Sequence, residues 1–430
     1  MRYLPIKSSF FAGNRRKLVS KLKPNSLVIV HSNDEFPRNG DQCYPFRQNS
    51  DMYYLSGLDQ EKCILVLCPD HPLESFREVV FTVKTSESMV TWYGHKYTLE
   101  QASAVSGVRS VKWLDDFEDT LRDMIVRADY VYLNANENNR FTTEVASRDL
   151  RFSQKLATEY PVHKFKRLAP IVTEMRLCKQ PAEIEMLTKA CDITHKAFER
   201  VLKATKPGIM EYELEAELTY EFIRNGAAGH SFYPIVASGA GACVLHYISN
   251  DKVLKSGDLV LLDFGAEYGN YAADISRTFP VNGKFSKRQK DCYNAVLRVQ
   301  KKAKSLIVAG STIDKINTAV AGLLEKEMIG LGLFTASDVK NQDPANPLYF
   351  NYYMHGNSHF IGMDVHDVGL KQTILKPGNV LSCEPGLYIK EEGIGIRIET
   401  DVLITPKGPV DIAKAIPVEV EEIEAIMKKK

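Results

Sequence analysis

The sequence predicts two domains, an α/β sheet domain followed by a domain of mixed strands and helices that contains a duplicated unit. Three observations carry that prediction. At 430 residues the chain exceeds one ordinary domain. Its first part alternates short apolar runs with helical patterns, and this character changes near residue 170. Beyond that point one turn-and-strand pattern occurs twice.

Taken in order, residues 26–31, 63–68 and 78–83 are short apolar runs of strand length. Residues 116–128 and 143–157 carry helical periodicity, and strands interleaved with helices imply an α/β sheet. No G-x-G-x-x-G or Walker pattern follows any of these strands, so no phosphate-cradling loop is expected. Pro181 stands in the first turn of a helix over 183–204, where its missing N–H costs nothing. Pro207-Gly208 closes that helix, a second begins around Glu211, and the chain turns strand-rich from Ser231. The expected division is 1–172 and 173–430.

Composition excludes several classes. Lys plus Arg total 55 against 54 Asp plus Glu, so no global field draws nucleic acid or anionic membrane. No uncharged apolar run reaches the roughly 18 residues that span a bilayer. Residues 1–22 are basic and lack acids, but they have no continuous apolar core, which excludes a secretory signal and leaves a mitochondrial presequence as the alternative. The eight cysteines are dispersed without a C-x-x-C pair, as in a reducing compartment, and the cytoplasm is the default location.

The duplication places acids in equivalent positions. Residues 255–265 (KSGDLVLLDFG) align with 376–386 (KPGNVLSCEPG) at a constant offset of 121. Each copy runs from a K-x-G turn through an apolar strand to a carboxylate, Asp263 or Glu384. Each then enters a hairpin that carries a second acid, Asp274 or Glu399. A turn centred between Tyr268 and Gly269 sets Asp263 opposite Asp274, and one between Glu391 and Glu392 sets Glu384 opposite Glu399. One such pair alone reads as solvated strand acids. Two related pairs with apolar flanks read as four carboxylates converging in a core, where like charge and desolvation forbid them all to ionise unaided. Two divalent cations cancel that charge, and an oxygen-rich set with one imidazole suits Mn²⁺, Co²⁺, Fe²⁺ or Zn²⁺.

Histidine supplies the imidazole. His355, His359 and His366 fall within twelve residues between the two acid hairpins. The i,i+4 spacing of the first two matches a zincin pair, but Gly356 replaces the glutamate, and Gly356 with Gly362 argues against a rigid helix. His246, just before the first hairpin, is placed to reach the same cleft. Arg397 lies two residues before Glu399 and shares its strand face, ready to steady that acid or neutralise nearby charge.

The segments HGNSHFIGMDVHDVG (355–369), DFGAEYGNYAADISRTFPVNGKF (263–285), EPGLYI (384–389) and GIGIRIE (393–399) resemble those of the pita-bread metallopeptidases, and most closely the Xaa-Pro aminopeptidases (aminopeptidase P). YPFRQNSDMYYLSGL (44–58) and TWYG (91–94) extend the resemblance into the first domain. It implies an aminopeptidase P-like N-terminal domain and an α+β pita-bread catalytic domain with a pseudo-two-fold internal repeat. It also implies a dinuclear site in which Asp263 chelates one ion, Asp274 and Glu399 bridge both, and His359 with Glu384 completes the other. A hydroxide held between the ions would attack the scissile carbonyl, with Glu384 as proton carrier. His246, His355 and His366 would contact substrate or the tetrahedral intermediate. The N-terminal domain would limit substrate length at the amine end. Dimers or tetramers are implied, with Trp92 near a neighbouring active site.

The implied reaction is removal of the residue before proline from peptides, with Mn²⁺ the foremost metal. A prolidase acting on Xaa-Pro dipeptides is the alternative on the same fold. The 355–366 segment resembles the aminopeptidase version. A catalytically silent binding relative would have lost ligands, and all five are present. Creatinase-like hydrolysis would not need this acid set.

Overall fold

The computed structural model describes residues 3–428. One compact unit runs Pro5–Arg176, and the other takes in Leu177 onward together with Tyr3 and Leu4. The expected division at 172/173 falls inside a helix, Ala169–Leu177. Arg176 at the end of that helix is paired with Asp51 at 2.7 Å, so the chain changes partners only after the helix is complete.

The first unit is built on a six-stranded mixed sheet. Its order is Ser110–Trp113, Glu78–Thr82, Ile64–Leu67, Ser26–His31, Tyr130–Leu133 and Lys164–Arg167. Every residue of Ser26–His31 is buried, which is why that strand reads as a continuous apolar run. Leu27, Ile29, Val66 and Phe81 pack with Phe117, Leu121 and Leu156 from the two covering helices. Those helices are Phe117–Ile125 and Arg148–Glu159, both shorter than expected. The second starts late because Ser147 caps it, its hydroxyl accepting from the Leu150 N–H. The basic N-terminal stretch contains the helix Ser8–Val19, which packs into this unit. Arg15 is buried there and donates to the carbonyls of Leu55 and Ser106 and to Glu78.

The second unit is α+β. Helices Pro181–Ala204 and Glu211–Arg224 pack together, and the first begins with Pro181 in its opening turn as expected. Its small sheets are antiparallel. Ile235–Ser238, Leu259–Phe264 and Ile275–Pro280 form one. Val380–Cys383, Thr400–Thr405 and Gly408–Asp411 form another, and Gly386–Ile389 pairs with Ile394–Arg397. The duplication is visible in the turns. The N–H of Asp258 donates to Lys255 and that of Asn379 to Lys376, both at 3.1 Å. Gly257 and Gly378 share a φ of +93°, the left-handed conformation that the third residue of a type II turn requires.

Candidate metal centre and active site

The first hairpin turns one residue later than expected. Tyr268 pairs with Tyr271, and Gly269 and Asn270 between them have φ of +59° and +67°, as a type I′ turn demands. Asp263 therefore faces Ser276, and Asp274 is its diagonal neighbour. A shift of two positions preserves the strand face, so both acids still point to one side. In the second hairpin Cys383 pairs with Thr400 and Gly386 with Arg397. That register sets Glu384 across from Glu399 in a break between two ladders. Their backbone N–H groups turn outward, Glu384 to the carbonyl of Asn357 and Glu399 to that of Ser276 in the first hairpin.

The structure gathers Asp274, His359 and Glu399, with one possible ligand atom from each lying within 4.8 Å of the others. His359 donates its Nδ1–H to the carbonyl of Phe360 at 3.0 Å, because a carbonyl can only accept. Its Nε2 lies 3.3 Å from Asp274 Oδ2 and 3.6 Å from Glu384 Oε1. Asp263 is engaged differently: Oδ2 accepts from Arg397 Nη2 at 2.6 Å, while the buried Oδ1 has no hydrogen-bond partner.

Electrostatics at this point are unbalanced. Burial pushes the Asp274 carboxyl well above the usual carboxylate range, and Asp263, Asp401 and Glu384 add to the effect. Glu399 is raised by burial and then by Asp274, Glu384 and Asp263. Arg397 is the cation that opposes both shifts. A divalent cation would relieve the repulsion, take the Nε2 lone pair and satisfy the orphaned Asp263 oxygen. The donor set of carboxylate oxygens and one imidazole fits such an ion.

The remaining predicted residues surround this cluster. His355 donates Nδ1–H to its neighbour's carbonyl, Gly356 O, and its Nε2 accepts from the Tyr388 hydroxyl at 2.8 Å. Burial and then the charge of Arg397 lower the His355 pKa to about 4, in keeping with that neutral tautomer. The His366 ring stands edge-on to His359, with centroids 4.5 Å apart. His246 is exposed. Arg397 reaches Asp263, Tyr388 and Ser276 directly and meets the Glu399 side chain through Ser276.

Sequence reasoning missed Ser276, Tyr388 and Asp401. Ser276 accepts from Arg397 Nε at 2.8 Å and donates to Glu399 Oε2 at 2.7 Å. Asp401 accepts from the Asp274 N–H and from the Cys191 thiol. Period-two alternation could have found two of them, since Ser276 follows Asp274 by two and Asp401 follows Glu399 by two.

Buried acids around one imidazole, braced by an arginine, define a metal-dependent hydrolase of the pita-bread fold. The chain belongs to metallopeptidase family M24, which matches residues 185–406, and the aminopeptidase P N-terminal domain matches residues 11–132. It is 35% identical to the Xaa-Pro aminopeptidase of Haemophilus influenzae over 97% of this chain and 96% of that one. The solved Pseudomonas aeruginosa aminopeptidase PepP superposes with a TM-score of 0.90 at 32% identity, covering 100% and 99% of the two chains. An Escherichia coli aminopeptidase P variant in complex with substrate gives 0.88 at 33% identity, covering 99% of each.

Proposed function

We propose that the chain hydrolyses the first peptide bond of peptides with proline at the second position. It would use two divalent cations, Mn²⁺ foremost, with Co²⁺, Fe²⁺ or Zn²⁺ as alternatives. The observation that carries this reading is the His359 Nε2 facing the carboxylate oxygens of Asp274 and Glu384. Asp263, Asp274, His359, Glu384 and Glu399 would hold the metal. Bound divalent cations supply an acidified water and polarise the scissile carbonyl.

The chain's own residues account for the rest. Glu384, half-buried between His355 and His359, takes up and returns the proton. Arg397 and Ser276 hold Asp263 and Glu399 in orientation. His246 and His366 donate toward substrate carbonyls, and neutral His355 offers its ring to the proline. Phe360, from the same segment, is buried and pairs through its backbone with Leu381. We assign the unit that ends at Arg176 as the N-terminal domain and the chain from Leu177 onward as the catalytic domain, a boundary four residues beyond the expected one.

No described helix is long and apolar enough to cross a membrane, and all eight cysteines are unbridged. The unbridged cysteines suit a reducing compartment, and the location we propose is the cytoplasm. Trp92 and Tyr93 are 79% and 74% exposed, which supports assembly into a dimer or tetramer through that segment.

The test is a cleavage assay with Mn²⁺ on Xaa-Pro-Xaa, Xaa-Pro and Xaa-Ala-Xaa. The first should be cut fastest, at its first bond. Equal rates on the proline and alanine tripeptides remove the specificity, and preference for the dipeptide makes the enzyme a prolidase.

A further inference from the structure

Away from the acid cluster, a second set of buried charges joins three elements of the catalytic unit. Lys179, just ahead of the helix Pro181–Ala204, pairs its Nζ with Asp367 Oδ2 at 2.8 Å, and both side chains are 1% exposed. Glu183 on that helix is equally buried and accepts from the Tyr271 hydroxyl at 3.2 Å. Asp367 follows His366 directly, and Tyr271 lies three residues before Asp274.

The backbone around this pair forms a closed loop. The Asp367 N–H donates to the carbonyl of Phe360 at 2.9 Å, closing residues 360–367. At one end of the loop the Ile361 N–H is held by Val380 O. At its middle the Gly362 carbonyl accepts from the Ala272 N–H of the first hairpin. Lys179 and Asp367 press on Gly362, where an added Cβ would stand 2.2 Å from Asp367 Oδ2 and 2.8 Å from Lys179 Cε. Lys179 is itself anchored by its N–H on Gly378 O at 2.7 Å, in the turn of the second repeat copy. The loop is thus tied to the first copy of the duplicated unit through Gly362 and, by way of Lys179, to the turn of the second.

A buried ion pair is poor evidence for stability, because desolvation offsets its attraction. Its directional value is greater: one Nζ and one carboxylate oxygen, both dry, hold a single loop geometry. We propose that the Lys179–Asp367 pair is a positioning device that fixes the 360–367 loop and thereby sets where His366 stands over the reacting centre. The inference rests on the role given to His366 above. Neither Lys179 nor Asp367 is assigned contact with substrate or metal.

Breaking one partner alone would strand a buried charge and risks misfolding. The informative variant is therefore the double substitution Lys179→Met with Asp367→Leu, which removes both charges at similar volume. Thermal unfolding and bound Mn²⁺ should match the parent protein. Amide exchange at Gly362 and at position 367 should accelerate at least tenfold, while amides of Pro181–Ala204 keep their protection. On an Xaa-Pro-Xaa tripeptide kcat should fall about 10- to 100-fold with KM within threefold, as expected when a reacting group is displaced by about 1 Å. Adding His366→Ala should then cost nothing further, because the two changes remove one contact. Unchanged exchange in the loop, full kcat, or a loss that multiplies with that of His366→Ala would each overturn the proposal. If the parent protein cuts no Xaa-Pro peptide, the proposed reaction fails, and the exchange measurement still decides whether the pair holds the loop.

Discussion

Ser276 Oγ donates to Glu399 Oε2 at 2.7 Å, joining a residue of the first acid hairpin to the last acid of the second. The Glu399 N–H returns the contact by donating to the Ser276 carbonyl at 3.0 Å. The two copies of the repeat are thus pinned together at a metal-ligand candidate. The same serine accepts from Arg397, so an arginine, a hydroxyl and a carboxylate form one oriented chain.

Ser276→Ala should lower metal affinity or activity 10- to 100-fold, the usual consequence of removing a group that orients a metal ligand. Metal titration of the variant measures it. Wild-type affinity and rate together would show that Glu399 needs no such brace.

Glu399→Gln should lose metal and activity in step, because the carboxylate charge is what the cations neutralise. Chelation of the native protein should abolish turnover, and elemental analysis of replete protein should return two ions per chain. Full turnover after complete metal removal would contradict the metal-dependent reading.

Burial pushes the Glu183 carboxyl up to about 7, against the pull of the Gln180 N–H and the Lys179 charge, with Asp367 adding to the rise. A raised folded-state pKa means that its stabilising contribution is complete below the unfolded value and fades as pH rises through about 7. Glu183→Gln should remove that slope. Relative to the variant, the native protein should lose about 3 kcal/mol between pH 5 and pH 8, the size of a shift of this order. Urea midpoints at several pH values read it directly, and parallel curves for the two proteins would refute it.

His366→Ala should depress kcat on Xaa-Pro-Xaa more than it raises KM, since a donor to the carbonyl strengthens its contact in the transition state. Steady-state kinetics decide this. A rise in KM at constant kcat would make His366 a ground-state binding residue instead.

Much of the site was legible in one dimension. Strand runs such as 26–31, the helix opened by Pro181 and the paired K-x-G turns all follow from local chemistry, and the structure shows each of them. The register of the second hairpin was also readable, because a turn centred on Glu391-Glu392 is the one observed. The first hairpin was misplaced by one residue, since Gly269-Asn270 tolerates two left-handed conformations and a Tyr-Gly turn does not. The error did no harm to the face on which Asp274 points.

The sequence by itself determined which residues are acids, which strand face each occupies and which turns reverse the chain. Those properties follow from side-chain chemistry and from the period of two in an extended strand. Only the tertiary structure decided that Arg397 grips Asp263 while meeting Glu399 through Ser276, that the Tyr388 hydroxyl donates to His355, and that Lys179 pairs with Asp367 beside His366. These contacts join residues far apart in the chain through the stacking of separate hairpins and helices. Local periodicity carries no information about that stacking. Which atom meets which is set by packing the duplicated unit against itself, where burial turns a shared face into a specific pair.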